Sequence, residues 1–283
     1  MTVLVFGATG QVARELAARG TGMTFLSRAE ADLSQPEACR SAILTAAPQA
    51  VFNAAAYTAV DKAEDEEALA TRINGDAPGA MAEACRTLDI PFLHVSTDYV
   101  FDGSGSRPWS PEDLTAPLSA YGRSKLAGEN AILASGATAA ILRTSWVFSR
   151  HGSNFVKTML RLGAERPSLR IVADQIGGPT PASAIADALI HMAGELSERR
   201  GATGLFHFSG APDVSWADFA RTIFREAELG CTVEDIPTAN YPTPACRPLN
   251  SRLDCSRLQQ TFGIARPDWR ANLQEVLNEV AHA

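Results

Sequence analysis

The chain has 283 residues, of which 46% are hydrophobic and 20% charged. A chain of this length buries roughly three quarters of its unfolded surface, enough for a sizeable core in one or two domains. The net charge of -7 excludes a broad nucleic-acid face, because neutralising phosphates needs clustered Lys and Arg. A small anionic ligand needs only a few local arginines. No apolar run approaches the ~20 residues that span a bilayer, so no membrane partner is expected. The opening stretch, Met1 to Gly7, lacks the basic start and small-residue cleavage site of a signal peptide. The five cysteines, Cys39, Cys85, Cys231, Cys246 and Cys255, form no C-x-x-C pair and read as reduced thiols of a cytoplasmic protein.

Thr2 to Phe6 is a short apolar run rich in β-formers and bounded by Gly7, which predicts a buried parallel strand. A helix is expected over Gln11 to Arg19, a strand over Met23 to Leu26, a helix over Cys39 to Ala46 and a strand over Ala50 to Asn53. Ala77 to Leu88 follows as a long helix, with strands at Pro91 to Ser96 and Ala139 to Arg143. Strands alternating with helices imply an α/β fold, a doubly wound parallel sheet of the Rossmann kind, with ligands at the carboxyl ends of its strands. Beyond this the pattern is less regular. Strands at Arg170 to Ala173 and Leu205 to Phe208 are expected to return to the first sheet, with helices at Pro181 to Ala193 and Ser215 to Glu226. Ile236 to Pro248 holds four prolines and reads as an ordered loop. Residues 1–146 are therefore expected to form a dinucleotide-binding domain, and 147–283 mostly a smaller, partly interleaved substrate domain.

The first strand ends in Gly7-Ala8-Thr9-Gly10-Gln11-Val12-Ala13, a G-x-x-G-x-x-A loop that leads into a helix. Small residues let the backbone approach a pyrophosphate, and the helix start offers it free N–H groups and a partial positive charge. A tight turn without a ligand is the plainer alternative; the position between a first strand and a first helix favours a dinucleotide. After the second strand, no carboxylate stands at Ser27-Arg28, where one would select NAD through the ribose 2′-OH. Arg28 and Ser27 there suit a 2′-phosphate. NADPH is the expected cofactor, with NADH still admissible. Asp32 and Leu33 are candidates for the adenine, and Ala54, Ala55 and Ala56 would let the cofactor lie close over the third strand.

Tyr121 and Lys125 are four residues apart and share one face of a helix. A nearby ammonium favours the phenolate and lowers a tyrosine pKa toward working pH. Tyr121 would then give a proton to a carbonyl oxygen that the hydroxyl of Thr97, at a strand end, also holds. A surface pair on a helix is the default for Y-x-x-x-K alone; joined to the glycine loop and the strand-end Ser96-Thr97, it becomes a strong signal of catalysis.

Together these motifs resemble the extended short-chain dehydrogenase/reductase family, and within it the branch that reduces dTDP-4-dehydro-β-L-rhamnose. The stretches that carry the resemblance are Asn53 to Glu64, Ser96 to Phe101, Arg143 to Phe148, Asn154-Phe155, Asp174-Gln175, Gly178 to Thr180, Tyr241 to Pro248 and Asn250-Ser251. The resemblance implies Thr97, Tyr121 and Lys125 as catalytic triad, with Lys125 also holding the nicotinamide ribose. It implies Thr58, Val60, Asp98, Tyr99 and Trp146 as substrate contacts, and places Asn154 and Arg247 near the nucleotide and pyrophosphate. The partner is then a small nucleotide sugar, with a homodimer left open. Some members carry metal-binding glutamates; Glu15 matches one, but Ser183 stands where another would be, so no metal is expected and Glu15 reads as an exposed helix residue. Two alternatives stay open: an epimerase or dehydratase acting on another nucleotide sugar, and a non-catalytic dinucleotide-binding regulatory subunit, against which the intact triad weighs.

Overall fold

In the computed structural model, residues 1–198 and 202–281 are described. The first half runs β1 (Val3–Phe6), α1 (Gln11–Arg19), β2 (Met23–Leu26), α2 (Pro36–Ala46), β3 (Ala50–Asn53), α3 (Glu67–Thr71), α4 (Ala77–Leu88), β4 (Phe92–Thr97), α5 (Ala120–Ser135) and β5 (Ala139–Thr144). The second half continues with β6 (Val147–Phe148), α6 (Phe155–Glu165), β7 (Ser168–Val172), β8 (Ile176–Gly177), β9 (Thr180–Pro181), α7 (Ala182–Glu198) and β10 (Gly204–His207). It ends with β11 (Val214–Ser215), α8 (Trp216–Glu226), β12 (Thr232–Ile236), β13 (Asn250–Ser251), α9 (Ser256–Phe262) and α10 (Trp269–Ala281).

Six parallel strands form the central sheet in the order β10-β5-β4-β3-β1-β2. Strands β1, β3 and β5 are buried along their whole length. That is why they read as continuous apolar runs: helices cover both faces of a parallel sheet. One face carries α1, α7 and α9, joined by Leu16, Leu189, Met192 and Leu258. The other carries α2, α4 and α5, joined by Ile43, Met81, Cys85 and Ile132. The chain leaves β1 for β2 and then crosses back to β3 on the other side of β1, so the strand order reverses between β1 and β3. The carboxyl ends of those two strands diverge there and open a crevice.

The strand at 168–172 corrects the expected topology: it does not return to this sheet but pairs in parallel with β12. Its burial alternates, with Ser168 and Arg170 exposed and Leu169 and Val172 buried. A strand with one wet face belongs at the surface of a lobe rather than inside a sheet covered on both sides. That lobe packs β7 and β12 with α6, α8 and α10 around Met159, Phe219, Ile223 and Trp269. The strand at 204–207 does enter the central sheet, beside β5. Among the described residues, no helix is long and apolar enough to cross a membrane.

Candidate active site

A cleft of about 990 Å³ runs along the carboxyl ends of β1 to β5 and up to the second lobe. At one end lie Gly7 and Gly10. Gly7 has φ +102°, and an added Cβ would meet Ala55 Cβ at 3.2 Å, so this turn needs glycine for backbone and for space. Gly10 differs. It is the N-cap of α1, no described side chain caps that helix start, and a Cβ on Gly10 would meet only Ala54 O, at 3.8 Å. Its missing side chain leaves the cleft open at the place where the unbonded N–H groups of α1 point. This arrangement fits the pyrophosphate of a dinucleotide. Gln11, Val12, Ala54, Ala55 and Ala56 line the same stretch, and Ser27, Arg28, Asp32 and Leu33 line its far end.

At that far end the carboxylates are more numerous than the sequence suggested. Ser27 donates from both its N–H and its hydroxyl to Glu30, at 2.8 and 2.7 Å. Arg28 pairs with Asp32 at 3.3 Å while 79% of its side chain stays exposed. Arg28 thus remains free to turn, whereas Ser27 is already engaged.

The catalytic candidates meet in the middle of the cleft. Thr97 ends β4, its hydroxyl donating to Asp98 Oδ1 at 3.2 Å and accepting from Tyr99 N–H at 3.2 Å, and it lines the cleft together with the Tyr121 phenol. Ser119 caps α5 by accepting from Gly122 N–H at 3.2 Å, which fixes Tyr121 in the first turn. Gly122 lets this turn approach closely, since a Cβ there would lie 2.3 Å from Tyr99 O. Burial pushes the Tyr121 phenol up to about 12, helped by the charge of Asp98. This departs from the sequence expectation of an ammonium lowering that pKa. The reason is where Lys125 points: its Nζ donates to Val95 O at 2.7 Å and lies 3.1 Å from His94 Nε2, beneath the strand end. Tyr121 therefore holds its proton at neutral pH, as a proton donor must. Burial lowers Lys125 to about 8 and raises Asp98 to about 6.

At the other end Trp146 lies flat against Trp216, with ring centroids 3.6 Å apart and planes 12° from parallel. Trp146 has φ +50°, a left-handed conformation that costs energy for a bulky residue. The strain is held by neighbours: Trp146 O accepts from Thr180 N–H at 3.1 Å, and Trp216 Nε1 donates to Gln175 Oε1 at 3.2 Å. Thr58, Val60, Asp98 and Tyr99 line the cleft between these rings and Thr97. Thr144 Oγ1 is buried at the same level and has no hydrogen-bond partner among the described residues, so the site offers a polar atom to a ligand.

Two expected contacts lie outside the lining. Asn154 caps α6 by accepting from Lys157 N–H at 3.1 Å, while its amide donates to Gln11 Oε1 at 2.9 Å and Ser149 O at 2.7 Å. It ties the second lobe to the dinucleotide loop. Arg247 pairs with Asp61 at 2.8 Å and donates to Ala245 O at 3.2 Å, which anchors the proline-rich loop next to Tyr99. Glu15 is not exposed: it is buried against Arg19, 2.5 Å away, with His151 at 3.7 Å. Three residues that bear on the site carry no motif of their own. Trp216 comes from a helix 70 positions beyond Trp146. Asn74 donates to Ser124 Oγ at 2.9 Å and so fixes α5. His94 meets Lys125, and only its place two residues before Ser96 pointed to it.

The whole chain can be placed among known proteins. Residues 1–282 match the family described as the RmlD substrate binding domain. A dTDP-4-dehydrorhamnose reductase of Sinorhizobium fredii is 44% identical, covering 98% of this chain and 97% of its own length. The crystal structure of a dTDP-4-dehydrorhamnose reductase from Clostridium acetobutylicum superposes with a TM-score of 0.92 at 34% identity, over 99% of this chain and 100% of that one. Another, from Bacillus anthracis and in complex with NADP, gives 0.91 at 31% identity with the same coverage. With a family match from end to end and relatives of this closeness, the chain belongs to the RmlD family of dTDP-4-dehydrorhamnose reductases.

Proposed function

We propose that the protein reduces dTDP-4-dehydro-β-L-rhamnose to dTDP-L-rhamnose, with NADPH as cofactor and NADH as the lesser alternative. One observation carries this reading: the Thr97–Tyr121 pair sits midway along one cleft, between the uncapped start of α1 and the Trp146–Trp216 stack. A dinucleotide and a nucleotide sugar laid end to end would meet there. The reduced nicotinamide, when bound, supplies hydride to the sugar carbon C4. Tyr121 gives its proton to the oxygen on that carbon as negative charge builds, and Thr97 holds the same oxygen. Lys125 holds the nicotinamide ribose. Backbone N–H groups of Gln11 and Val12 take the pyrophosphate, Arg28 takes the 2′-phosphate, and Asp32 and Leu33 flank the adenine. Thr58, Val60, Asp98, Tyr99 and Trp146 face the sugar nucleotide; Asn154 and Arg247 act on the site through Gln11 and Asp61.

Residues 1–146 hold the cofactor and also present Thr58, Val60, Asp98, Tyr99 and Trp146 to the sugar, while 147–283 mostly complete the substrate side. Every group in this reading comes from one chain, so a homodimer would add nothing to the chemistry. All five cysteines are free thiols, which suits the cytoplasm. The test is oxidation of NADPH by the purified protein with and without the dTDP-linked 4-keto sugar. Saturable, sugar-dependent oxidation is expected. Binding of NADPH with no turnover on any nucleotide-linked 4-keto sugar would favour a regulatory subunit and overturn the reading.

A further inference from the structure

Beneath the cleft a line of buried polar groups ends on Lys125. Ala55 N–H donates to Asn53 Oδ1 at 3.2 Å, which fixes the orientation of that amide. Asn53 Nδ2, which only donates, then faces His94 Nδ1 at 3.1 Å. His94 Nδ1 must accept, so the single proton of the neutral ring lies on Nε2. Nε2 faces Lys125 Nζ at 3.1 Å. Asn53, His94 and Lys125 are each 1% exposed, so water cannot relieve a mismatch. An N–H on Nε2 and an ammonium on Nζ would oppose each other donor to donor. The contact is a hydrogen bond only when Nζ offers a lone pair.

We infer that Asn53 and His94 form a one-way hydrogen-bond chain that binds Lys125 as the neutral amine, so that Lys125 becomes an ammonium only by turning from His94 into the cofactor cleft. His94 is thus a positioning residue: it sets the charge and direction of a catalytic lysine without touching substrate. The surroundings agree. Burial drives His94 well below the ordinary histidine range, which keeps the ring neutral. Burial also lowers Lys125, against the charge of Glu129 one turn along α5. Glu129 is itself held by Arg143 at 2.9 and 2.6 Å and by Ser96 at 2.5 Å, which draws much of its field away from Nζ. The remaining titratable groups at this strand end, Tyr121 and Asp98, carry a neutral phenol and a carboxyl raised by burial.

The consequence is a pH-dependent grip. Acid takes Lys125 to the cleft as a cation, with the proton drawn from solvent; base returns it to His94 as an amine. This rests on the proposed role of Lys125 at the nicotinamide ribose. Two measurements test it. In the unmodified protein, long-range proton–nitrogen correlation on 15N-histidine samples, assigned with His94→Phe, reads the tautomer of His94. Nε2–H is expected, and Nδ1–H overturns the inference whatever the enzyme does. The second is the Kd for NADPH against pH, followed by nicotinamide fluorescence. It should weaken as pH rises through the Lys125 midpoint. Asn53→Asp presents only acceptors, so it moves the His94 proton to Nδ1 and turns Nε2 into an acceptor for the ammonium. The midpoint should rise by about one pH unit. Measured against His94→Phe alone, adding Asn53→Asp should raise the midpoint by clearly less than it does with the imidazole present. An unmoved midpoint, or one that rises equally without the imidazole, overturns the chain. Loss of turnover on the keto sugar would instead sink the proposed function and leave the tautomer measurement standing.

Discussion

The two ends of the cleft are built by opposite means. The dinucleotide end uses backbone and missing side chains: Gly7, Gly10 and the alanines at 54–56, all supplied by strand-to-helix turns within one stretch of chain. The sugar end uses large side chains from distant segments, such as Trp146 on Trp216 and Asp61 on Arg247, 186 positions apart. Adding atoms should therefore damage the first end, and removing atoms the second. Between them, Thr97 and Tyr121 obey neither rule, because a single proton is at stake.

The largest effect should fall on that midpoint. Tyr121→Phe removes the proton donor while leaving the ring that packs edge-on to Tyr99 at 5.6 Å. kcat should fall by roughly 10²–10⁴-fold, with NADPH affinity and thermal stability unchanged. A near-normal kcat in steady-state assays would show that the proton comes from elsewhere.

Next come two glycines that separate packing from binding. Gly122→Ala would drive a methyl to 2.3 Å from Tyr99 O and 2.9 Å from Pro117 Cβ. It should cost about 1–3 kcal/mol of stability in denaturant melts, as overpacking does. Gly10→Val has open space, with Ala54 O at 3.8 Å as its near neighbour. Its melt should fall by less than that of Gly122→Ala, since valine at an N-cap costs about 0.5–1 kcal/mol, while NADPH binding weakens by on the order of tenfold or more. If both variants lose stability alike, the empty space at Gly10 serves the fold rather than the cofactor.

At the sugar end the rule reverses. Trp216→Leu removes the ring that supports Trp146, and stacked aromatic pairs are worth about 0.5–1.5 kcal/mol beyond their burial. KM for the keto sugar should rise by roughly five- to tenfold, with NADPH Kd unmoved. An equal rise in both constants would mean that Trp216 merely holds the lobe in place.

The same contrast explains what could be read from the sequence. The β1–α1–β2 unit was legible to within one residue because its signals are local: a buried run, a glycine loop and a helix period. Tyr121, Lys125 and Thr97 were legible because helix spacing and a strand end bring them together. Trp216 was not, since nothing in α8 announces that its first residue will reach Trp146. The strand at 168–172, expected at 170–173, was placed in the wrong sheet because a short run does not name its partner; the exposed Arg170, paired with Glu234 at 3.6 Å, was the sign of a surface strand. Asn154 was expected near the nucleotide because the family resemblance placed its segment there; its side chain is engaged by a helix cap and by Gln11. The Asn53–His94–Lys125 line lay in plain view as three polar letters. Its meaning depends on which atom donates, and that follows from the Ala55 N–H alone.

The smallest effect should come from Arg28, at the margin of the dinucleotide end. Its guanidinium is the cation that lines the cleft beside Ser27, and 79% of the side chain is in solvent. A charge so exposed is screened, and exposed ion pairs are worth roughly 0.2–1 kcal/mol. The contact also has a competitor. Asp32 already sits 3.3 Å from the arginine, so gripping a 2′-phosphate requires Arg28 to leave that carboxylate. Glu30 adds a second negative group close by, held by Ser27. Arg28→Ala should therefore raise KM for NADPH by roughly two- to fivefold and leave KM for NADH unchanged, since NADH has no phosphate for the arginine to lose. Asp32→Asn should act in the opposite sense on NADPH by freeing the guanidinium. The ratio of kcat/KM for the two cofactors, measured across the parent and both variants, decides the matter: a ratio that does not respond to Arg28→Ala would place the selection of NADPH away from this arginine.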